Sequence, residues 1–151
     1  MSDDEGLELA FKIAEVGVAQ GWAPFGAAIV DADDNVIAVA NNTIAHTRDC
    51  TQHAELAAIQ QACGRLGSPD LSGCTIYATC EPCPMCFAAI HWARIERIVS
   101  SATIADCVEV GFRQLGLDNE RMKAEGGSGV SLRGGVQRDR GRALLRAGAP
   151  A

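Results

Sequence analysis

Two short segments constrain this chain more than any other feature of its sequence. They are His53-Ala54-Glu55 and, twenty-seven residues after Glu55, Pro82-Cys83-Pro84-Met85-Cys86. One imidazole and two thiols are zinc ligands by type, and zinc holds such ligands at a distance of only about 2.0–2.3 Å. The chain must therefore fold so that two segments distant in sequence come into contact.

The spacing within each segment indicates how that contact is made. Cys83 and Cys86 are three residues apart, so on the first turn of a helix their side chains face the same way. The N–H groups at a helix N-terminus favour the thiolates that zinc requires, and a proline is tolerated there. His53 stands at the start of the preceding predicted helix. We expect two parallel strands to bring the two helix N-termini side by side.

Helical and strand-like patterns alternate along the chain, which is typical of an α/β protein. We predict a three-layer αβα sandwich around a mixed sheet, folded as a single domain over residues 1–151. The glycine-rich segment 126–135 and the helix after it are expected to form a mobile tail. The predicted helices are 4–20, 53–67, 83–94, 106–115 and 138–147, and the predicted strands are 26–30, 36–40, 75–79, 98–102 and 129–133.

The composition of the chain bears on whether the protein has a membrane partner and on where in the cell we expect it. Apolar residues make up 48% and charged residues 21% of the chain, as in a globular protein. No apolar run approaches the roughly 20 residues that cross a bilayer. The N-terminus lacks the basic flank of a signal peptide, so we expect a cytoplasmic protein with no membrane partner.

Charge argues against a nucleic acid as the obligatory partner, because the net charge is −6 and phosphate binding needs clustered basic residues. One basic stretch exists, with seven Lys or Arg residues from Arg121 onward. No aromatic residues are interleaved with it, so we interpret it as a solvated helix face.

The seven cysteines are odd in number, which argues against a disulfide framework. Cys63, Cys74 and Cys107 are expected to be small buried apolar side chains.

Three protein ligands leave one position of a tetrahedral zinc ion open, as in catalytic sites. We assign His53, Cys83 and Cys86 as the ligands of one zinc ion, with water or hydroxide as the fourth. Two thiolates offset the charge of the ion and acidify that water less than imidazoles would. A nearby base is therefore needed, and Glu55 supplies it. The alternative is a closed structural site in a module without catalysis, with Cys80 as the fourth ligand.

The stretch from Pro24-Phe25-Gly26 to Gly111-Phe112 resembles the cytidine-deaminase-like superfamily, particularly its guanine deaminase and tRNA adenosine deaminase branch. The run from Cys80 to Cys86, followed by Ala88-Ala89-Ile90-His91-Trp92-Ala93-Arg94, is most similar to bacterial guanine deaminases. The resemblance implies a five-stranded sheet flanked by helices and a homodimer with one zinc per subunit. It also implies hydrolytic deamination, in which Glu55 carries a proton from water to the substrate.

The same resemblance implies a set of substrate contacts. Asn42 falls where the family sets an amide against the base, although a turn residue at a strand end explains it equally well. Phe25 falls where an aromatic ring packs near the base, and core packing is the alternative, as it is for Trp22 and Trp92. The other candidate substrate contacts are Ala54, Gln114 and Asp106.

Three departures from guanine deaminases bear on the substrate. Gly111-Phe112 is followed by Arg113-Gln114, where those enzymes carry an acidic residue against the purine amine, and no aromatic residue follows later. The loop before the histidine reads Asp49-Cys50-Thr51-Gln52 where Pro-Thr-Ala is usual. Asp106 and Glu109 are near enough in sequence to compensate, or are simply surface acids. We expect guanine or a related aminopurine, free or as a nucleoside, with tRNA adenosine and a cytosine-type base as alternatives.

Overall fold

A five-stranded mixed sheet forms the middle layer of the computed structural model, which describes residues 1–150. The strands lie in the order β2-β1-β3-β4-β5, where β1 is antiparallel to both of its neighbours and the pairs β3–β4 and β4–β5 are parallel. The sheet confirms the predicted fold class. In chain order the strands are β1 (Gly26–Val30), β2 (Val36–Asn41), β3 (Thr75–Cys80), β4 (Arg97–Ala102) and β5 (Ser131–Arg133).

Helices cover both faces of the sheet. They are α1 (Asp3–Ala19), α2 (Ile44–Thr47), α3 (Ala54–Leu66), α4 (Pro84–Trp92), α5 (Ile104–Glu109), α6 (Asn119–Gly126) and α7 (Arg138–Ala147). Alternate strand residues point to opposite faces: Ala27 and Ile29 pack in one core with α3 and α4, whereas Ala28 and Val30 pack in a second core with α1. The three-layer arrangement is therefore the predicted one.

The elements differ from the predicted ones mainly after β4. The helix predicted over 106–115 begins earlier, at Ile104, and ends at Glu109; it is followed by Gly111, whose φ is 101°. The helix α6 was not predicted, because its residues are largely polar and lack a clear apolar period. Its start and end do carry sequence signals, since the Asp118 side chain caps the first turn and Gly127 closes the helix at φ 69°.

The C-terminal helix packs onto the sheet and onto α1. Leu144 belongs to the α1 core and Leu145 to a smaller cluster with Cys80 and Cys107. The Arg140 guanidinium lies 4.1 Å from the centre of the Phe11 ring. None of the helices in residues 1–150 is long and apolar enough to cross a membrane.

Contact between α1 and β1 is close enough to require glycine at position 26. A Cβ atom on Gly26 would overlap the Ala10 carbonyl oxygen and lie only 2.9 Å from the Ala14 Cβ. Both alanines are fully buried. Gly64, on the exposed side of α3, has open space around its missing Cβ.

We expect Gly26→Ala to lower the free energy of unfolding by roughly 1–3 kcal/mol, because the added methyl group overpacks the interface between α1 and β1. The matched control Gly64→Ala should raise it by roughly 0.5–1 kcal/mol, because alanine loses less backbone entropy in a helix than glycine does. Urea denaturation followed by circular dichroism measures both effects. Equal effects of the two substitutions would contradict the close contact.

Candidate active site

The two segments that define the predicted site meet where α3 and α4 begin. The strands β2 and β3 run in the same direction, with β1 antiparallel between them, so the helices that follow start at the same edge of the sheet. His53 is the N-cap residue of α3 and Cys83 that of α4. The two strands thus share a direction as predicted, although they are not neighbours.

Cys83 reaches the site from a different position than the sequence predicted. The helix α4 begins at Pro84, so Cys83 lies one residue before it, in extended backbone with φ −65° and ψ 167°. Pro84 occupies the first helical position, where its missing N–H costs little. Cys86 lies in the first turn and is fully buried.

The three predicted ligand atoms lie at the spacing of a zinc site. His53 Nδ1 is 3.5 Å from Cys83 Sγ and 3.6 Å from Cys86 Sγ, and all three atoms are within 4.8 Å of one another. Tetrahedral zinc with Zn–N of about 2.0–2.1 Å and Zn–S of about 2.3 Å separates nitrogen and sulfur by about 3.5 Å. These side chains therefore fit the ion. Cys80 lies outside this group, and its thiol donates to the Thr103 carbonyl at 3.6 Å.

The pKa values of the two thiols of the group are shifted in opposite directions. The Cys86 thiol donates to Cys83 and, together with His53, lowers the pKa of Cys83 to about 4 in spite of burial. The same hydrogen bond, with burial, raises the pKa of Cys86. A dication bound in this place would favour the thiolate form of both side chains.

A buried carboxyl lies in the first turn of α3. Glu55 is two residues after His53 and only 6% exposed. Burial raises the pKa of Glu55, and the His53 imidazole acts in the opposite direction. A carboxyl whose pKa is raised accepts a proton more readily than an ordinary glutamate does and can then return it.

A cavity of about 180 Å³ opens at this group, and His53, Glu55 and Cys83 line it. Phe25 and Phe112 also line it and touch edge to face, with ring centroids 5.1 Å apart and ring planes at 69°. Sites for drug-sized ligands occupy roughly 300–1,000 Å³. The cavity is therefore sized for a small heterocycle.

Asn42 lines the cavity at the end of β2 and is 5% exposed. Its Oδ1 accepts the Ile44 N–H at 3.1 Å, and its own backbone N–H donates to the Phe25 carbonyl at 3.0 Å. Among residues 1–150, the Nδ2 donors have no protein partner, and Nδ2 is not sealed in the interior. Asn42 is thus a turn residue and also an amide with free donors at the cavity.

The loop from 110 to 118, between α5 and α6, supplies another part of the cavity lining. Phe112, Arg113 and Gln114 lie on it. Gln114 Nε2 donates to Cys107 Sγ at 3.7 Å, which ties this side chain to α5. No carboxylate of the loop lines the cavity, in agreement with the sequence pattern.

Asp106 and Ala54, also predicted as substrate contacts, do not line the cavity. The Asp106 carboxylate accepts the Thr103 N–H at 2.9 Å and two hydrogen bonds from Arg138 at 2.8 Å each. These contacts hold the pKa of Asp106 well below its usual range. Ala54 is fully buried in the core with α3 and α4. Glu109 is exposed and lies 3.6 Å from Arg142.

The predicted burial of the remaining aromatic and cysteine side chains is correct for some of them and wrong for others. Trp92 is 79% exposed, so core packing is wrong for it, whereas Trp22 is partly buried beside the His46 ring. Cys74 and Cys107 are buried as predicted, and Cys63 is half-buried. The prediction for Trp92 was wrong because α4 is apolar around most of its circumference, so the sequence pattern does not indicate which side of the helix is exposed.

Sequence reasoning missed Glu81. This residue lines the cavity, and its carboxylate accepts two backbone N–H groups, from Ile104 at 2.9 Å and from Asn119 at 2.8 Å. The signal in the sequence is a charged residue placed directly between a buried strand and the Pro82-Cys83 pair. Such a residue requires partners when the fold covers it.

Comparison with known proteins gives a consistent result. Residues 1–102 match the family model of the cytidine and deoxycytidylate deaminase zinc-binding region. Guanine deaminase of Bacillus subtilis (strain 168) is 42% identical over 113 residues, which are 74% of this chain and 72% of that protein. The tRNA-specific adenosine deaminase of Aquifex aeolicus (strain VF5) is 41% identical over 96 residues, which are 64% of this chain and 63% of that protein.

A solved structure, that of NE0047 in complex with 2,6-diaminopurine, resembles this chain with a TM-score of 0.90 at 27% identity. The likeness covers 98% of this chain and 82% of that one. The matched family region contains His53, Glu55, Cys83 and Cys86 and extends over more than half of the chain. This chain therefore belongs to the cytidine and deoxycytidylate deaminase family.

Proposed function

We propose that this protein is a zinc-dependent hydrolytic deaminase of a free base, with guanine or a closely related aminopurine as substrate. One observation carries the proposal: the His53, Cys83 and Cys86 group and the buried Glu55 lie together at a small cavity. Three ligands with a carboxyl beside them suit catalysis, whereas a structural zinc site uses four protein ligands. The guanine deaminase of Bacillus subtilis and the bound 2,6-diaminopurine of NE0047 support an aminopurine.

His53, Cys83 and Cys86 would hold one zinc ion per chain, with a water molecule in the fourth position. Zinc held there would lower the pKa of a water molecule and so make a hydroxide nucleophile available for the amine-bearing carbon. Glu55 takes the proton that the water loses and passes it to a ring nitrogen of the base. Glu55 then moves the hydroxyl proton to the amine, which leaves as ammonia while the carbonyl forms. One water is consumed for each ammonia released.

The cavity lining suits a planar base. The Nδ2 donors of Asn42 match a carbonyl or ring-nitrogen acceptor, and the rings of Phe25 and Phe112 offer apolar contact. Arg113 and Gln114 stand where guanine deaminases carry an acidic residue, so side-chain donors outnumber acceptors at these two positions. The volume of about 180 Å³ supports a single small base as the group that enters the cavity.

An RNA substrate is the second candidate, favoured by the likeness to the Aquifex tRNA-specific adenosine deaminase. The basic C-terminal region gives it little support, because most of its arginines pair with acids of the same chain. We therefore propose that this region belongs to the deaminase domain instead of forming a mobile RNA-binding tail. The pairs are Arg121–Glu125, Arg133–Asp3, Arg138–Asp106, Arg140–Glu8 and Arg142–Glu109.

Ammonia release from a panel of bases tests this function directly. We expect turnover of guanine or 2,6-diaminopurine, and much less of guanosine, adenine and cytosine, when the protein is loaded with zinc. An electrophoretic shift assay with tRNA at physiological salt should show no tight binding. Tight, salt-sensitive tRNA binding without release from any free base would favour the RNA substrate instead.

Glu55→Gln should lower kcat by about 10²–10⁴-fold, because the amide has the shape of the carboxyl but carries no proton between water and base. Zinc content, measured by atomic emission, should remain one per chain, since Glu55 is not among the ligands. Glu96→Gln, at an exposed position, serves as the control and should retain full activity. Unchanged turnover by the Glu55 variant would support a purely structural zinc site.

We also propose that the protein is a homodimer, with the exposed side of α4 in the interface. Trp92 is 79% exposed and Met85 36%, although both are large apolar side chains on this helix. A hollow beside Trp92, lined by Phe87, Ala88 and Met122, lies between α4 and α6. Exposed aromatic side chains next to an apolar hollow are typical of protein interfaces.

Light scattering after size-exclusion chromatography tests the dimer. We expect twice the chain mass for the unsubstituted protein and a monomer for Trp92→Lys, because a buried lysine charge opposes association. Val16→Lys is the control, since Val16 is a 49% exposed apolar residue on α1, which covers the other face of the sheet. A dimer that persists in the Trp92 variant would place the interface elsewhere.

A further inference from the structure

The residue that precedes the Pro82-Cys83 pair connects two helices to the metal-binding segment. Glu81 Oε1 accepts the N–H of Ile104, the first residue of α5, at 2.9 Å. Its Oε2 accepts the N–H of Asn119, the first residue of α6, at 2.8 Å. These two helices flank the 110–118 loop, which carries Phe112 and Gln114 into the cavity lining. A single carboxylate therefore holds both elements that support this loop.

The Glu81 carboxylate satisfies donors that the helices' own caps leave open. In α5 the Thr103 side chain accepts the N–H of Asp106, and in α6 the Asp118 side chain accepts the N–H of Arg121. The first N–H of each helix has no partner within that helix. The partial positive charge of a helix N-terminus favours a carboxylate, and hydrogen bonds to an ionised acceptor are stronger than neutral ones.

Asn119 adds a second connection at the same place. Its side chain is 4% exposed, and Nδ2 donates to the Pro82 carbonyl oxygen at 2.7 Å. Pro82 directly precedes Cys83. The end of the 110–118 loop is thus hydrogen bonded to the two residues before a member of the metal-binding group.

We propose that Glu81 is a positioning residue for the substrate, because it fixes the 110–118 loop relative to the His53, Cys83 and Cys86 group. The proposal rests on the proposed function, since it assigns Phe112 and Gln114 to base binding. Both oxygens of the carboxylate are engaged, so each of them is required.

The test compares Glu81→Gln with Glu81→Asp in the zinc-loaded protein. Glutamine keeps the size of the side chain but has one acceptor oxygen, so one helix N–H loses its partner. We expect the KM for guanine to rise about tenfold or more, with kcat changed less and zinc content unchanged. Aspartate keeps both acceptors and should recover part of the loss. Glu120→Gln, at an exposed position in the first turn of α6, is the matched control and should behave as the unsubstituted protein.

Hydrogen exchange measured by mass spectrometry provides a readout that does not depend on the substrate. Peptides containing the Ile104 and Asn119 amides should exchange faster in Glu81→Gln and should be unchanged in Glu120→Gln. Unchanged exchange would overturn the connection, and faster exchange with unchanged KM would overturn the positioning role. A fall in kcat or zinc content with KM unchanged would place the effect at the metal. If the proposed function itself were wrong, the unsubstituted protein would release no ammonia, a result that separates this case from any effect of the Glu81 substitutions.

Discussion

The site depends on two helix N-termini being held at the same edge of one sheet. Because β1 is inserted antiparallel between β2 and β3, the latter two strands run in the same direction, and α3 and α4 start near each other. Small side chains allow the layers to approach closely, since Ala54, Ala58 and Ala62 of α3 are all fully buried against the sheet. The three ligand atoms are thus brought to metal-binding spacing by the packing of α3 and α4 against the sheet.

Local patterns predicted most of the fold and both halves of the metal-binding group, because each helix, each strand and each of the two ligand segments is recognisable within a short stretch of sequence. The period of apolar residues predicts α1 and the strands, and the Cys83–Cys86 spacing follows from one helical turn. Features that depend on partners far along the chain were not predicted. Asp106 is an acidic residue near the cavity loop in sequence, so it was predicted to contact the substrate. Its partner Arg138 lies thirty-two residues later, and the two side chains form an ion pair.

Glu81 is a residue whose role sequence patterns failed to indicate, again because its partners are distant in sequence. Its partners lie twenty-three and thirty-eight residues further along the chain, and they are backbone N–H groups, which every residue type except proline can provide. No residue pattern therefore indicates the contact. It becomes visible only when the starts of α5 and α6 are placed beside the end of β3, and that placement is a result of tertiary packing.

Under the proposed function, the cavity lining divides into a part that supports the reaction and a part that supports selection among bases. His53, Glu55 and Cys83 lie within the region that matches the family model, which ends at residue 102. Phe112 and Gln114 lie beyond it, on a loop whose sequence departs from guanine deaminases. Because the proposed reaction requires a metal-activated water, a proton carrier and an amine-bearing carbon, the first part does not by itself distinguish one base from another. We propose that the second part contributes to which base fits, provided that the loop keeps a fixed distance from the metal-binding group. Glu81 lies two residues before Cys83, so the segment that would bind the metal also holds the helices that flank this loop.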